Sequence, residues 1–329
     1  AATATTLADG ENGAKVIVRA QNIVIEAGGR IDVKGCGYPA NKGPAAKGTF
    51  QDEAGNSHST SAGHAGTVVT TLRGAPTTND YPVLTGYRAY GSMFEPTTYG
   101  SGGDFQAGGG VIRLVATGDV TIEGTVSANG GSTGSNANNS GAGGSVWITA
   151  GEIKGSGTIC ANAGGGISDT GAGGRIALYQ TNATDWAECA ELKVLASGWS
   201  GGTIFRSDAS GLQTLETGAS LNAGGTVDFP ALDPADDLKR ALAEVKVSVG
   251  ENTCLAVTGK TWTAGNTVRV KDLDLTTATS TAKTLGSVIR VKDMTHHKGR
   301  DWGDTYANLV DEEGGGKIIW SPGFALIIR

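Results

Sequence analysis

The chain has 329 residues, 54 of them glycine, and carries a formal net charge of −6 at pH 7. The glycines follow no Gly-X-Y period, which excludes collagen, and the recurring Val/Ile segments argue against a disordered chain. No basic block and no apolar run of about 18 residues occurs, so we expect neither a nucleic-acid partner nor a membrane span.

The N-terminal segment, 1–13, is small and polar, and we expect it to be a lead-in to the folded domain. The sequence starts with Ala1 rather than methionine, as a mature protein does after removal of a signal peptide. The chain is also rich in Ser, Thr, Asn and Gly and poor in Lys. We therefore expect an extracellular or cell-surface location.

A repeat of three short strands, broken by glycines, is predicted to build one domain over 14–230. Apolar residues recur at every second position, which indicates strands rather than helices. Glycine pairs open the clearest copies, at Gly109-Gly110, Gly143-Gly144 and Gly173-Gly174. An earlier copy occupies 14–37. In a β-solenoid such copies stack and bury their apolar faces on one another.

The length of the repeat favours one coil of a parallel β-helix per copy. Val111 to Val146 is 35 residues, and Val146 to Ile176 is 30. Asn129 and Asn162 fall at the same corner of successive copies, where stacked side chains are expected to bond each other and the backbone. The all-β alternative is a β-sandwich of antiparallel strands.

A long insertion, 38–107, separates the first two copies and holds much of the chemical variety of the chain. Long insertions on solenoids lie on one face and often carry the binding residues. The binding candidates in this segment are His58, His64, Tyr87, Tyr90 and Tyr99.

Several glycine-rich phrases carry a resemblance to known proteins. They are Gly37-Tyr38-Pro39, Lys42-Gly43-Pro44, Ser57-His58, Gly63-His64-Ala65-Gly66 and Tyr99-Gly100-Ser101-Gly102-Gly103, together with the Gly-Ala-Gly-Gly strand openers. Over roughly 14–180 the chain resembles glycine-rich β-helix segments of large secreted bacterial surface proteins. This resemblance implies a right-handed parallel β-helix in an extracellular setting, and no catalytic residue is carried over from it.

The C-terminal region, 231–329, is predicted to contain one short helix followed by β structure. Asp233 and Pro234 fit the N-cap and first position of the helix, and its apolar stripe is Leu238, Leu242 and Val245. The acidic run at its start fits a helix cap, and a calcium site is the alternative. The chain ends in two apolar strands around a Ser-Pro-Gly turn, with the assembly candidates Ile318, Trp320, Phe324, Leu326 and Ile328.

The densest polar cluster, 295–304, supplies further binding candidates: His296, His297, Asp301 and Trp302. The cluster has no spaced metal-ligand signature, so we expect a solvated loop and no metal, with a metal or catalytic site as the alternative. Charges of the type a polysaccharide lyase needs also lie on or near the repeat strands. They are Arg113, Lys154, Arg175, Asp104, Glu123, Glu152 and Asp169. Their alternation with apolar residues fits an outward strand face.

Four widely spaced cysteines, Cys36, Cys160, Cys189 and Cys254, form no CxxC pair. A metal finger is therefore not expected, and disulfides and buried thiols remain as equal alternatives. Cys160 occupies the position of Ser127 in the repeat, where a small side chain fits.

These patterns together predict a structural protein, a subunit of a bacterial surface fibre or adhesive layer that self-associates through its terminal strands. The alternatives are a carbohydrate-active enzyme on a β-helix, either a polysaccharide lyase or a hydrolase, and a carbohydrate-binding module. Polysaccharide is the possible ligand, and no cofactor is expected other than a possible Ca²⁺.

Overall fold

The structure is a computed structural model of the chain. The structure describes residues 3–8, 13–46, 48–51, 57–60, 62–67, 89–132, 140–165, 171–218, 225–228, 242–249, 253–256, 267–274, 281–283, 288–293, 309–310 and 317–320. These residues form 26 β-strands and two short 3₁₀ turns, and they contain no α-helix. The protein is therefore all-β, as predicted. None of its described helical segments is long and apolar enough to cross a membrane.

The strands are short and follow one another closely. The first fourteen are β1 (Thr3–Ala8), β2 (Ala14–Ala20), β3 (Ile23–Ile25), β4 (Arg30–Asp32), β5 (Gly48–Gln51), β6 (Ser57–Thr60), β7 (Gly66–Thr67), β8 (Val111–Ala116), β9 (Val120–Ile122), β10 (Thr125–Ser127), β11 (Ser145–Ala150), β12 (Ile153–Lys154), β13 (Thr158–Cys160) and β14 (Arg175–Gln180). The remaining twelve are β15 (Lys193–Leu195), β16 (Thr203–Ser207), β17 (Gln213–Thr217), β18 (Gly225–Asp228), β19 (Val245–Ser248), β20 (Thr253–Ala256), β21 (Thr267–Val270), β22 (Asp272–Asp274), β23 (Thr281–Lys283), β24 (Val288–Val291), β25 (Leu309–Val310) and β26 (Lys317–Trp320). The 3₁₀ turns are Ala187–Cys189 and Leu242–Glu244.

Three sheets organise the N-terminal half. Sheet A has the order β1-β2-β8-β11-β14-β16-β17-β19-β22, sheet B has β12-β9-β3, and sheet C has β15-β13-β10-β4. Successive strands of each predicted copy pass from sheet A to sheet B to sheet C, and corresponding strands of neighbouring copies pair in parallel. The three-strand copies at 14–37, 109–130 and 143–162 therefore form as predicted.

The strand register confirms the alignment of the copies, with one change in spacing. Ser127 lies opposite Cys160, as expected. Val146, however, lies opposite Ile112 rather than Val111, so this copy is 34 residues long and not 35. The next pairing, Val146 with Ile176, has the predicted spacing of 30.

Apolar residues from all three sheets form one buried cluster, which we call the first core. Sheet A contributes Ile112, Val146, Ile176 and Ile204, which are in register on adjacent strands. Sheets B and C contribute residues such as Ile122, Ile153, Val126 and Ile159. These side chains are almost completely removed from solvent, so burial of branched apolar groups is the main stabilising term in this half.

Glycine pairs open the sheet A strands because there is no room for a side chain at the second glycine. A Cβ on Gly144 would overlap the carbonyl oxygen of Gly110, one on Gly174 that of Gly144, and one on Gly202 that of Gly174. The same strands are joined by Ser145 N–H to Gly110 O, 3.0 Å, and by Arg175 N–H to Gly144 O, 2.9 Å. The glycines thus permit the close approach that brings the strands into hydrogen-bonding distance.

The asparagine corner also forms as predicted. Asn162 donates its backbone N–H to Asn129 Oδ1 at 2.7 Å, and Asn162 Oδ1 accepts the backbone N–H of Ser197 at 2.8 Å. Each side chain thus bonds the backbone of the next copy.

The C-terminal half contains two further parallel stacks of strands. Sheet D has the order β25-β23-β20-β18-β7 and sheet E has β21-β24-β26. Arg269 lies opposite Arg290, so the Arg-Val-Lys-Asp sequences at 269–272 and 290–293 are in register. In sheet D, all pairs are parallel except β18 with β7, which comes from the insertion.

Sheet A is shared by two cores that lie on its opposite faces. Strands β16 and β17 form an antiparallel hairpin, which reverses the strand direction before β19 and β22. The second core uses Ala177, Phe205 and Leu215, whereas the preceding residues Ile176 and Ile204 belong to the first core. We call the face that carries Ala177 and Phe205 the outer face.

Several C-terminal expectations change. Gly225–Asp228 pairs with β20 and thus joins sheet D rather than the N-terminal repeat. Val245 begins β19, so it is not part of a helical stripe, and the predicted helix start at 233–241 lies outside the described residues. The lead-in segment contains a strand, because β1 pairs antiparallel with β2. The final strand of the predicted C-terminal pair lies outside the described residues.

Candidate functional site

The structure brings together three of the predicted binding residues: His64, Tyr90 and Tyr99. His58 lies in β6, opposite Phe50 in a β5–β6 hairpin. The other candidates, Tyr87, His296, His297, Asp301 and Trp302, lie outside the described residues.

His64 belongs to the insertion. Its side chain is fully buried where the insertion meets sheet A. Its Nδ1 is 2.7 Å from the carbonyl oxygen of Gly143, and its Nε2 is 2.9 Å from Thr98 Oγ1. A carbonyl only accepts, so Nδ1 carries the proton and Nε2 accepts the Thr98 hydroxyl. Burial, reinforced by the Arg175 cation, lowers the pKa of His64 to about 3. The imidazole is therefore neutral at physiological pH.

Tyr90 packs against His64, with their ring centroids 4.8 Å apart. Its hydroxyl donates to the Tyr99 carbonyl oxygen at 2.7 Å and lies 2.8 Å from Ser101 Oγ. Burial raises the pKa of the Tyr90 phenol, so it stays protonated. The hydroxyl thus ties together two parts of the insertion.

Arg175 supplies a fully buried cation on the sheet side of the same interface. Its Nε donates to the Tyr90 carbonyl oxygen at 2.9 Å, and Nη1 donates to Thr203 Oγ1 at 3.2 Å. The sequence placed Arg175 on an outward strand face, which is correct, but that face is covered by the insertion. Alternation along one strand carries no information about what covers it.

Further hydrogen bonds join the insertion to β11 and to the segment that precedes β14. Ser145 Oγ donates to the Thr98 carbonyl oxygen at 2.6 Å, and the backbone of Ala172 donates to Ala62 O at 2.8 Å. We call His64, Tyr90, Thr98, Ser145 and Arg175 the docking cluster. Both imidazole nitrogens of His64 are hydrogen-bonded, and its side chain is fully buried. The docking cluster therefore holds chain segments together and offers no accessible acid or base.

Other charges of the repeat are used in local pairs. Lys154 Nζ lies 2.6 Å from Asp119 Oδ2 and 3.2 Å from Glu152 Oε2, and these carboxylates raise its pKa, Asp119 most strongly. Glu123 accepts the Ser156 hydroxyl at 2.6 Å. Arg113 does not join these carboxylates, and Asp169 lies outside the described residues.

No group of three or more His, Cys, Asp or Glu side chains that could hold a metal ion occurs in the described part of the chain. The acidic run considered for calcium, 233–237, lies outside that part.

Three of the four cysteines, Cys36, Cys160 and Cys189, are free thiols in this structure. Burial raises the pKa of each thiol, to about 11 for Cys189. Cys160 is buried at the repeat position of Ser127. The side chain of Cys254, in β20, is outside the described set.

Two assembly candidates, Ile318 and Trp320, lie in β26, opposite Ile289 and Val291 of β24. The partner residues are buried in the second core. Within the described residues β26 pairs on one side only, at the edge of sheet E. The candidates Phe324, Leu326 and Ile328 lie outside these residues.

An arginine–tryptophan pair that the sequence did not reveal lies on the outer face of sheet A. Arg113 and Trp147 are opposite each other on β8 and β11, and the guanidinium carbon is 3.8 Å from the ring centroid. The two residues are 34 apart in the chain, and only the correct register brings them together.

Comparison with protein-family models, curated proteins and solved structures gives no significant match to the chain.

Proposed function

We propose that this protein is an extracellular structural protein, a right-handed parallel β-helix that forms the subunit of a bacterial surface fibre or adhesive layer. The observation that supports it is the shared register of sheets A, B and C. Copy after copy passes through the three sheets in the same order, with parallel pairing at each level. A chain that winds in this way forms a rigid rod rather than a cleft.

The right-handed sense is supported by a general rule for parallel strands, and the arrangement of the two cores is consistent with the same hand in both halves. Crossovers between parallel strands are almost always right-handed. The β16–β17 hairpin reverses the strand direction in sheet A, and the core moves to the opposite face at the same place. These two changes together preserve the hand of the crossovers, so one handedness accounts for both halves.

Assembly through terminal strands is supported by the edges that the chain presents. Within the described residues, β1, β3 and β26 each pair on one side only. Val24, at the centre of β3, is apolar and 63% exposed. Open strand edges with exposed apolar side chains favour pairing with another chain, and a head-to-tail contact repeats into a filament.

An extracellular location is compatible with the free thiols. Cys160 is buried and its thiol pKa is raised, so little reactive thiolate is present at neutral pH. The enzyme alternative lacks comparable support, because His64 and Tyr90 are enclosed in the docking cluster rather than lining a groove.

Electron microscopy of the purified protein in dilute buffer, over a range of concentrations, tests this proposal. Ordered fibres or sheets are the expected result. Single compact particles at every concentration, with no growth on addition of seeds, would overturn the assembly role.

A further inference from the structure

One part of the outer face of sheet A is only partly covered. Trp147 of β11 packs against the second core, whereas β2 and β8 contribute no residue to that core within the described part of the chain. Over β14 and β16 the outer-face residues Arg175, Ala177 and Phe205 are buried, whereas Arg113 and Trp147 on β8 and β11 are half-exposed. On β2 the outer-face positions are Lys15, Ile17 and Arg19, of which Lys15 and Ile17 are half-exposed and Arg19 is exposed. We call Lys15, Ile17, Arg19, Arg113 and Trp147 the open patch.

The open patch concentrates positive charge on an acidic protein. Ile17 lies opposite Arg113, so Lys15 and Arg19 flank that guanidinium from the neighbouring strand. In the described part of the chain none of the three cations has an ion pair, whereas Lys154 and Arg30 on sheets B and C each contact a carboxylate. The protein as a whole carries −6.

The centre of the open patch holds unused hydrogen-bond donors. Arg113 lies flat over the Trp147 ring, which leaves the edge of the guanidinium fork for other partners. Arg113 Nε and Trp147 Nε1 are both buried, and neither has an acceptor within the described residues. A ligand cannot reach these two buried atoms, so contact with a ligand falls to the exposed part of the Arg113 guanidinium.

We propose that the open patch binds an acidic polysaccharide. The carboxylate or sulfate groups of such a chain pair with Lys15, Arg19 and Arg113, and the guanidinium fork suits bidentate contact with a carboxylate. The apolar faces of sugar rings contact Ile17 and the exposed part of Trp147. Three cations on a protein of charge −6 are too few to hold the much denser charge of a nucleic acid. This proposal is independent of fibre formation, because it uses a sheet face and not the strand edges.

Isothermal titration calorimetry of the full chain at low salt tests it, with polygalacturonate as the probe and neutral dextran as its control. We expect polygalacturonate to bind and dextran not to bind. The variant with Lys15→Glu and Arg19→Glu should bind polygalacturonate at least about tenfold more weakly. Arg113→Gln should weaken binding as well, and raising the salt concentration should reduce the wild-type affinity.

Lys193→Glu is the matched control, because Lys193 is an exposed cation on sheet C. It should leave the affinity unchanged. The proposal is overturned by no binding of polygalacturonate, by equal binding of dextran, by an equal loss in the Lys193 variant, or by tighter binding of a single-stranded oligonucleotide. Electron microscopy of the same samples reports fibre formation separately, so failure of one proposal is distinguishable from failure of the other.

Discussion

At the scale of single residues, polar groups fix how the insertion lies on sheet A, in addition to the apolar contacts that Met93 and Phe94 make with the second core. His64 bonds the Gly143 carbonyl on the sheet side and Thr98 on the insertion side. Arg175 reaches in the other direction, from sheet A to the carbonyl of Tyr90. Hydrogen bonds have strict geometry, so these contacts fix one position of the insertion, whereas apolar contact alone would tolerate sliding.

The burial of neutral His64 makes the stability of the protein depend on pH. In the unfolded chain the imidazole takes up a proton below about 6.5, whereas in the folded protein it does so only near pH 3. The unfolded state therefore binds more protons in this window, and stability falls as the pH falls from about 6.5 towards 3. The contribution of His64 is fully present above this window.

We expect His64→Asn, which does not titrate, to be less stable than the wild type at pH 7 by about 2 kcal/mol. Because only the wild type loses stability through this group in acid, by about 2–3 kcal/mol between pH 7 and pH 4.5, the difference between the two proteins should close at pH 4.5. Urea unfolding of both proteins at the two pH values measures the gap. An unchanged gap would show that His64 is not held neutral.

The glycine pairs lead to a second residue-scale prediction. Gly174→Ala places a methyl group against the carbonyl oxygen of Gly144, and backbone cannot move aside as a flexible side chain can. We expect a loss of about 2–4 kcal/mol in the free energy of unfolding. Gly165→Ala is the control, since a Cβ there meets nothing within 4 Å, and it should change stability by less than about 0.5 kcal/mol. Chemical denaturation of both variants measures their free energies of unfolding. Similar losses of stability in the two variants would show that contact with the Gly144 carbonyl oxygen is not the cause.

At the scale of elements, the strands of the repeat were predictable because their signal is local. Alternating apolar residues and the Gly143-Gly144 opener predict β11 and its pairing with β8 from sequence alone. The docking of the insertion was not predictable in the same way. His64 and Gly143 are 79 residues apart, and nothing in either local pattern indicates that they meet. The second core, in which the C-terminal strands pack on the outer face of sheet A, likewise depends on contacts between distant parts of the chain.

Tyr90 permits a test of how the insertion is fastened. Tyr90→Phe keeps the ring packed against His64 but removes the hydroxyl that bonds the Tyr99 carbonyl and Ser101. We expect faster amide hydrogen exchange over 89–101, by about tenfold, because local opening of this segment becomes cheaper. Exchange in β8 and β11 should be unchanged.

Tyr38→Phe provides the control for that experiment. Its ring contacts Tyr99, and within the described residues its hydroxyl makes no hydrogen bond. The variant should exchange like the wild type. Faster exchange throughout sheet A in the Tyr90 variant would show that the hydroxyl supports the whole fold rather than the insertion.

At the scale of the whole molecule, sheet A joins two stacks of strands into one body. Its inner residues, such as Ile176, belong to the first core, and the adjacent Ala177 belongs to the second. Where both of its faces are buried, as at β14 and β16, this sheet resists bending more than a sheet with one wet face. The proposed assembly role requires a rigid subunit, and the proposal places the contacts between copies at the strand edges.

The assembly role gives the last prediction, based on two residues in one column of sheet B. Val24 in the edge strand β3 lies opposite Thr121 in the interior strand β9. If copies join through this edge, Val24→Lys places a charge in the contact and should raise the critical concentration for fibre formation at least about tenfold. Thr121→Lys adds the same charge one strand away from the edge and should have little effect. Light scattering across a concentration series measures both, and an equal effect of the two substitutions would exclude β3 as the joining edge.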